Sequence, residues 1–313
     1  MRHAGRGRSA DIGLLLLAAI WGVNFTVVKV VLEELDPLAL NALRFPLAAG
    51  ALALAASRQP GPALPRREDL ARILALGLLG NVAYQLCFIY GIDWTGAGNA
   101  SLLLATTPVW TVLLSAAAGH ERPTVGVVAG VVGTLMGMAL VVLGRGDALT
   151  VSSETVRGDL LLIVASVLWA IYTVAGRDPV ERYGALRMTT WTLWAGTPFL
   201  ILLGLPSLLS TQYESVGPMT WLGVIYAGLL AIGLAYLLWY QGVERIGNNR
   251  TSVYSNLVPV AALATAWVWL GEVPTVLQGI GAAVILIGLT VARIAQSPGP
   301  SSPAPVIELS SPR

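Results

Sequence analysis

The feature that most constrains the fold of this chain is a segment that occurs twice at a fixed offset. Residues 98–142 align with residues 249–293 when the sequence is shifted by 151 positions, and no gap is needed. The coinciding residues are Pro108 and Pro259, Glu121 and Glu272, Gly130 and Gly281, and Gly137 and Gly288. Apolar helices resemble one another through Leu and Ala, but Pro, Glu and Gly in one shared register indicate a true internal repeat.

The apolar residues are concentrated in runs of membrane-spanning length. Hydrophobic residues make up 55% of the 313 residues and charged residues only 12%, whereas a soluble domain carries about 25% charged residues. Runs of ~20 apolar residues are long enough to cross a hydrocarbon core of ~30 Å. The period-2 alternation of a membrane β-barrel is absent. The chain is therefore predicted to be an all-α integral membrane protein in contact with the lipid bilayer.

We predict ten transmembrane helices, separated by Pro, Gly and charged residues that are typical of helix ends. Their approximate ranges are 11–32, 38–56, 70–92, 97–118, 124–143, 159–177, 186–204, 218–241, 249–270 and 275–294. The first apolar run continues without an A-x-A-like cleavage site, so we expect residues 1–10 to precede a retained helix and not to begin a signal peptide. Residues 295–313 are rich in Pro and Ser and are predicted to form a disordered cytoplasmic tail.

The distribution of Arg and Lys over the loops predicts the orientation in the membrane. If the N-terminus is cytoplasmic, nearly all basic residues fall in cytoplasmic segments, and only Lys29, Arg145 and Arg157 lie on the other side. An even number of spans then returns the C-terminus to the cytoplasm. We expect a multi-pass protein of the inner (plasma) membrane with both termini cytoplasmic.

Each copy of the repeat covers five helices, at residues 11–143 and 159–294, joined by a periplasmic loop at 144–158. Because five is odd, the second copy enters the membrane from the opposite face, and the copies become inverted repeats. Secondary transporters often have this design, with the substrate site at the repeat interface near the bilayer midplane. The similarity extends upstream, since residues 20–29 align with 168–177 at an offset of 148.

Several stretches resemble one transporter family. They are WGVNFTVVK at 21–29, Arg44 with Phe45, NLVP at 256–259, WLGEVPT at 269–275 and GAAVILIG at 281–288. With the repeated Pro, Glu and Gly module, they resemble the drug/metabolite transporter superfamily over residues 11–294, most closely its EamA-type ten-helix branch. His120 stands where this family usually has Gly. The resemblance implies a secondary transporter that exports amino acids or related small metabolites by alternating access.

Lys29 and Arg44 are the basic residues that lie more than two positions inside a predicted span. A lipid-exposed arginine at the depth of Arg44 would cost at least ~2.5–3.5 kcal/mol, so this side chain must face protein, water or a partner. It either anchors a substrate carboxylate or bonds helix-end carbonyls, Asp93 or Glu33. Lys29 either lines the cavity or extends its ammonium group to the membrane interface.

Polar and aromatic residues in otherwise apolar spans are the candidates for substrate binding. Two alternatives apply, because Ser and Thr often bond their own helix, and Trp and Tyr often lie at the membrane interface. Four residues near helix ends are expected at the membrane interface: Tyr90, Trp94, Trp194 and Tyr240. The predicted substrate-binding residues are Trp21, Asn24, Phe25, Lys29, Arg44, Tyr84, Gln85, Thr107, Trp169, Tyr172, Tyr236, Trp239 and Asn256.

Two prolines interrupt the backbone hydrogen bonds near the middle of the fourth and ninth predicted helices. An interior proline removes one hydrogen bond and kinks the helix, and the freed carbonyl must be satisfied by protein or by water in a cavity. Pro108 and Pro259 are therefore predicted hinges that face each other across the cavity. The alternative is that they are tolerated for packing alone.

No Asp or Glu is predicted in the middle of a span. Small multidrug transporters, to which the chain is distantly similar, use a carboxylate in the first helix, where this chain has Trp21 and Asn24. A carboxylate-gated antiport of cationic drugs therefore loses support. Glu121 and Glu272 precede prolines that begin helices, where an acid complements the helix dipole.

The residue inventory also bears on other classes of function. One cysteine and two histidines show no metal-ligand spacing, so no metal, cofactor or catalytic residue is predicted. We expect a transporter of a small-molecule metabolite, not an enzyme, with no nucleic-acid partner. The alternatives are a membrane-embedded lipid-modifying enzyme and a passive channel or structural membrane protein. The Gly-rich faces of the fifth and tenth helices serve packing within a monomer or a homodimer interface.

Overall fold

Helices dominate this chain because an apolar segment in a bilayer must satisfy its backbone N–H and C=O groups internally. The computed structural model describes residues 2–117, 124–144, 153–246, 251, 254–255, 257–271 and 273–295. These residues form helices joined by short turns, and no strand occurs among them. The all-α prediction is confirmed.

The helices are numbered α1 to α10 in chain order. They are α1 (Arg2–Val31), α2 (Pro37–Ser57), α3 (Arg67–Leu78, Leu79–Ala83 and Tyr84–Trp94), α4 (Ala97–Leu104 and Thr107–Ala117), α5 (Val125–Leu143), α6 (Ser153–Tyr183), α7 (Ala185–Ser210), α8 (Pro218–Ile225, Tyr226–Leu234 and Ala235–Ile246), α9 (Leu257–Leu270) and α10 (Val276–Ile294). The middle stretches of α3 and α8 are π-helical. Such stretches often occur at functional sites.

Seven helices in the described part of the chain are long and apolar enough to cross a membrane. They cover Asp11–Val31, Pro37–Ser57, Arg67–Trp94, Ala97–Leu114, Thr155–Tyr183, Ala185–Ser210 and Pro218–Arg245. Shorter apolar helices lie at Val128–Gly137, Leu257–Leu270 and Val276–Gly288. The chain is a multi-pass helical membrane protein.

Some helices extend beyond the predicted apolar ranges. Helix α6 begins at Ser153 and ends at Tyr183, whereas residues 159–177 were predicted. At its C-terminal end, Arg177 and Glu181 pair one turn apart, with 2.8 Å between Nε and Oε1. Such i,i+4 pairs support a helix outside the apolar segment.

An Asp-Pro pair, Asp36 and Pro37, determines where α2 begins. The side chain of Asp36 accepts a hydrogen bond from the backbone N–H of Leu38 at 2.8 Å. Pro37 occupies the first helical position, where a missing N–H costs nothing. This cap fixes the register of α2 and therefore the position of Arg44, two turns further along.

The helix contacts occur in corresponding pairs. Helix α1 packs on α9, and α6 packs on α4; α2 packs on the π-helical part of α8, and α7 packs on α3. Two further contacts join corresponding helices directly, α2 with α7 and α5 with α10. If each of α1 to α5 is exchanged with the helix five places later, every contact in this set becomes another contact of the set or remains the same contact.

Glycines allow the closest of these contacts at equivalent positions. A Cβ atom added to Gly77 of α3 would lie 2.7 Å from the carbonyl oxygen of Thr192 in α7, and one added to Gly228 of α8 would lie 2.7 Å from that of Arg44 in α2. The two glycines are 151 positions apart, and Arg44 and Thr192 are 148 positions apart. The same backbone contact therefore occurs twice.

Candidate functional site

A central cavity lies among residues from both halves of the chain. It has about 890 Å³ of space free of protein atoms, part of it open to the outside. Its lining is Trp21, Asn24, Phe25, Arg44, Tyr84, Gln85, Phe88, Ser101, Leu104, Ala105, Thr107, Pro108, Thr111, Trp169, Thr173, Ala231, Ile232, Tyr236, Trp239, Ser255, Val258 and Pro259. An apolar, aromatic cavity with a few polar groups is typical of a small-molecule site.

Most of the residues predicted to bind substrate meet in this cavity. Those that line it are Trp21, Asn24, Phe25, Arg44, Tyr84, Gln85, Thr107, Trp169, Tyr236 and Trp239, together with Pro108 and Pro259. Lys29 and Tyr172 do not line it. Asn256, Glu121 and Glu272 lie outside the described residues.

The aromatic lining residues form a connected cluster. The ring centroids of Trp21 and Trp169 are 5.7 Å apart at 82°, and those of Trp169 and Tyr236 are 4.9 Å apart. Trp239 lies 5.5 Å from Trp21. The Trp21 indole N–H donates to the carbonyl oxygen of Ala231, in the π-helical part of α8, at 2.9 Å. The cluster thus joins α1, α6 and α8 around the cavity.

Arg44 is buried, with 1% of its surface exposed, yet its hydrogen-bond partners are neutral. Its Nε and Nη2 atoms donate to Asn41 Oδ1 at 3.0 and 2.7 Å, and Nη2 also donates to Gln85 Oε1 at 2.9 Å. Gln85 in turn donates to the Tyr236 hydroxyl at 2.7 Å. Within the described part of the chain, no carboxylate forms an ion pair with this guanidinium. The expected alternatives of Asp93 and Glu33 are not its partners.

Lys29 is positioned by the end of α3 and not by the cavity. Its Nζ atom donates to the carbonyl oxygens of Asp93 at 2.6 Å and Ile92 at 3.2 Å. A lysine near a helix C-terminus can donate hydrogen bonds to the last carbonyl groups, which have no partner within the helix. The prediction that Lys29 lines the cavity therefore has no support in the structure, because α3 ends within reach of its ammonium group.

Tyr172 and Tyr240 lie behind the cavity wall. Tyr172 packs against Trp169 at 5.3 Å, and its hydroxyl shares a 2.9 Å hydrogen bond with Thr192. It therefore supports a lining residue and does not line the cavity itself. Tyr240 is fully buried and packs against Tyr172 at 5.6 Å, so its expected interfacial position is wrong. Its helix α8 continues to Ile246, which places Tyr240 further from the helix end than predicted.

Sequence reasoning missed several lining residues that lie one turn from predicted ones. Phe88 follows Tyr84, Thr111 follows Thr107 and Thr173 follows Trp169, each four positions later, which is the same face of a helix. That spacing was available in the sequence. The other missed residues are Leu104, Ala105, Ala231, Ile232, Ser255 and Val258, whose residue types carry little signal. Ser101, a polar residue in the fourth predicted span, also lines the cavity.

The two prolines lie where their helices change backbone bonding. Pro108 cannot donate to the carbonyl of Leu104, four residues earlier, and the Thr107 hydroxyl donates to this oxygen instead at 2.7 Å. Helix α4 is correspondingly interrupted between Leu104 and Thr107. Pro259 likewise cannot donate to the carbonyl oxygen of Ser255, four residues earlier. That oxygen instead accepts a hydrogen bond from the backbone N–H of Val258 at 3.1 Å.

We expect Thr107→Val to destabilise the protein relative to Thr107→Ser. Valine has a similar shape but leaves the Leu104 carbonyl without its donor, which costs about 1–3 kcal/mol for a buried polar group. Serine retains the hydroxyl. Thermal unfolding of purified protein in detergent, followed by tryptophan fluorescence, should give a lower Tm for the valine variant. Equal Tm values for the two variants would contradict the proposed role of the hydroxyl.

Two buried polar atoms of the lining lack partners in the described part of the chain. They are Asn24 Oδ1 and Trp239 Nε1, in residues that are 6% and 3% exposed. A buried polar atom without a partner is costly, so such atoms often mark a place for water or a ligand. In the part of the chain that the structure describes, no three His, Cys, Asp or Glu side chains are grouped so that they could hold a metal ion.

The apolar helices, with a central cavity that carries a few polar groups, are those of a multi-pass membrane protein of the transporter class. The sequence profile of the EamA-like transporter family matches residues 8–143 and again residues 156–294, so the chain belongs to the EamA-like transporter family. This confirms the resemblance to the drug/metabolite transporter superfamily.

Similar proteins from several organisms are transporters by name. A probable terminal-alkyne amino-acid exporter of Streptantibioticus cattleyicolor is 33% identical over 276 residues, covering 88% of this chain and 90% of the relative. An uncharacterized transporter of Archaeoglobus fulgidus is 32% identical over 283 residues, with coverages of 90% and 96%. A probable amino-acid metabolite efflux pump of Salmonella typhimurium is 29% identical over 288 residues, with coverages of 88% and 92%.

A solved crystal structure shares the fold. It superposes with a TM-score of 0.66 at 23% identity and covers 92% of this chain and 97% of its own. The helical architecture therefore occurs over nearly the whole chain of another protein.

Proposed function

We propose that the protein is a secondary transporter that exports amino acids or related small organic metabolites. The observation that carries this proposal is the central cavity, which residues of both halves line. Its described lining holds one buried cation, Arg44, beside a cluster of aromatic rings. Relatives named as exporters of amino acids or their metabolites support the substrate class and the direction. The small-molecule substrate and the lipid bilayer are then its two partners.

The two halves are proposed to be inverted five-helix repeats, residues 11–143 and 159–294. Three observations support this division: the family profile matches each half, the helix contacts recur when the halves are exchanged, and equivalent residues meet at the centre. Gln85 and Tyr236, 151 positions apart, are joined by a hydrogen bond. Trp21 and Trp169, 148 positions apart, are in ring contact.

Alternating access is the proposed mechanism, with Pro108 and Pro259 as hinges. Both prolines line the cavity. Each lacks the N–H that would bond the carbonyl four residues earlier, and another donor bonds that carbonyl instead. A helix that is already interrupted there bends at a smaller cost in hydrogen bonds. The loop charges favour cytoplasmic termini and the inner membrane, with residues 144–158 periplasmic and the segments 1–10 and 295–313 cytoplasmic.

Contacts between the halves occur at both ends of the bundle, as alternating access requires. At one end, Arg182 of α6 pairs with Asp69 of α3 at 2.7 Å between Nη1 and Oδ2. At the other end, Glu34 beyond α1 accepts a hydrogen bond from the backbone N–H of Gly217 before α8 at 2.7 Å. Each access state would open one of these contacts and retain the other.

Counterflow in proteoliposomes tests the proposed function. Purified full-length protein is reconstituted, the vesicles are loaded with unlabelled amino acids, and uptake of the matching labelled amino acid is measured across a panel. Saturable uptake that is stimulated by internal substrate, and absent from protein-free vesicles, supports a carrier. Linear, unstimulated flux would indicate a channel, and turnover of the vesicle lipids without flux would indicate an enzyme; either outcome contradicts the proposal.

A further inference from the structure

The charge balance of the cavity indicates which end of a substrate it recognises, and this inference rests on the proposed transport function. Among the described lining residues, Arg44 is the one charged side chain; the others are aromatic, aliphatic, hydroxyl or amide residues. A cavity with one cation and no carboxylate has a net positive charge. Its electrostatic complement is a ligand with a net negative charge.

Arg44 can bind an anion because the described residues give its guanidinium neutral hydrogen-bond acceptors but no opposite charge. Asn41 and Gln85 accept hydrogen bonds from its Nε and Nη2 atoms and hold the guanidinium in place. Its hydrogen bonds to the described part of the chain all come from Nε and Nη2, and none comes from Nη1. A guanidinium matches the geometry of a carboxylate, and burying a cation is unfavourable unless an opposite charge or good hydrogen bonds accompany it.

Among the described lining residues, no carboxylate offers a counter-ion for an ammonium group. The unpartnered acceptor among its buried side-chain atoms is the neutral Oδ1 of Asn24. An ammonium group placed there would lose its hydration beside a protein cation, with no carboxylate in the described lining to replace the lost interactions. A neutral N–H or O–H donor would satisfy the same oxygen without that cost.

We propose that this site recognises the carboxylate of its substrate through Arg44 and does not require an ammonium group. The substrate class is a monocarboxylate with an aromatic or bulky apolar body, including N-acylated or deaminated derivatives of amino acids. The rings of Trp21, Trp169 and Trp239 supply the surface for the apolar body. Asn24 accepts a hydrogen bond from a neutral donor on the substrate.

A matched ligand series tests this proposal on the purified full-length protein. The series is 3-phenylpropionate, N-acetyl-L-phenylalanine, L-phenylalanine, L-phenylalaninamide and phenethylamine, with binding measured by thermal shift and by calorimetry. We expect the first two to bind at least as tightly as phenylalanine, and the last two to bind about tenfold or more weakly, as when one partner of a buried charge pair is missing. Equal binding of the amide or the amine, or failure of the deaminated acid to bind, would overturn the proposal.

An isosteric substitution in the cavity gives a second test. Asn24→Asp adds the carboxylate that the described lining lacks, and we expect it to lower the ratio of 3-phenylpropionate to phenethylamine affinity about tenfold or more, as like charges replace opposite ones. Asn24→Ala, which adds no charge, is the matched control and should keep the preference for the acid. An unchanged ratio in folded Asn24→Asp would overturn the proposal. If that variant does not fold, the ligand series on the unmodified protein decides.

Failure of this inference can be separated from failure of the proposed function. Counterflow of amino acids that persists while phenylalanine and its amide bind equally would overturn carboxylate recognition and leave the transporter intact. Absence of counterflow for every solute in the panel, together with no binding in the ligand series, would overturn both.

Discussion

Replacing Arg44 with glutamine should lower the counterflow of a carboxylate substrate by about 25-fold or more. Truncating one partner of a buried, hydrogen-bonded charge pair costs about 2–5 kcal/mol, and 1.4 kcal/mol corresponds to about tenfold in affinity. Glutamine can still bond to the neighbouring amides but carries no charge. Initial rates of labelled substrate uptake in proteoliposomes, at equal protein incorporation, measure the effect.

Two further arginine variants make this result interpretable. Arg44→Lys keeps the charge but loses the planar fork that holds Asn41 and Gln85, so its rate should lie between those of the unmodified protein and Arg44→Gln. Arg177→Gln removes an exposed arginine that pairs with Glu181 within α6, and its uptake rate should be unchanged. Full activity of folded Arg44→Gln would remove the anion site from the mechanism.

The second large effect is expected where α5 and α10 meet. A Cβ atom on Gly288 would lie 2.7 Å from the carbonyl oxygen of Gly130 and from the backbone nitrogen of Thr134. A Cβ atom on Gly137 would lie 2.7 Å from the carbonyl oxygen of Gly281 and from the backbone nitrogen of Ile285. Each of the three residues on α5 is 151 positions before its counterpart on α10, so both contacts are copies of one arrangement.

Gly137→Ala and Gly288→Ala should therefore destabilise the protein to a similar extent. The backbone atoms that the methyl group meets cannot turn away as a side chain could, so the helices must separate; overpacking of this kind costs about 1–3 kcal/mol. Gly279→Ala in α10 is the matched control, since no atom lies within 4 Å of its added Cβ.

Thermal unfolding of the three alanine variants in detergent measures this effect. Tm should fall for Gly137→Ala and Gly288→Ala and should be unchanged or higher for Gly279→Ala, because alanine favours helix formation over glycine. Loss of stability in only one of the two symmetric variants would argue against equivalent packing of α5 and α10.

The helical class of the protein and most of its cavity could be predicted from local sequence. Trp21, Tyr84 and Trp169 are predictable because large aromatic residues far from a span's ends are poorly explained as interfacial residues. Pro108 and Pro259 were identified because proline has one fixed effect on a helix wherever it lies. Each of these inferences depends on the residue itself or on its near neighbours in the chain.

The positions of Lys29, Tyr172 and Tyr240 could not be predicted in the same way. Lys29, like Arg44, is a basic residue in an apolar helix. The end of α3 passes close to it, and two carbonyl oxygens there accept its hydrogen bonds. Tyr172 lies three positions from Trp169, a spacing that fits a shared face, yet it packs behind that ring. Depth along a helix can be inferred from sequence, whereas rotation toward a cavity depends on the neighbouring helices.

The sequence by itself determined that this chain is a membrane protein of apolar helices, that its two halves are related, and which family it resembles. These properties follow from run length, composition and a shared register, all of which are local. Only the tertiary structure decided that Arg44 is held by Asn41 and Gln85 and has no carboxylate partner in the described residues, while Lys29 is engaged elsewhere. Partners from distant parts of the chain determine the charge balance of a cavity, and the helix packing selects those partners.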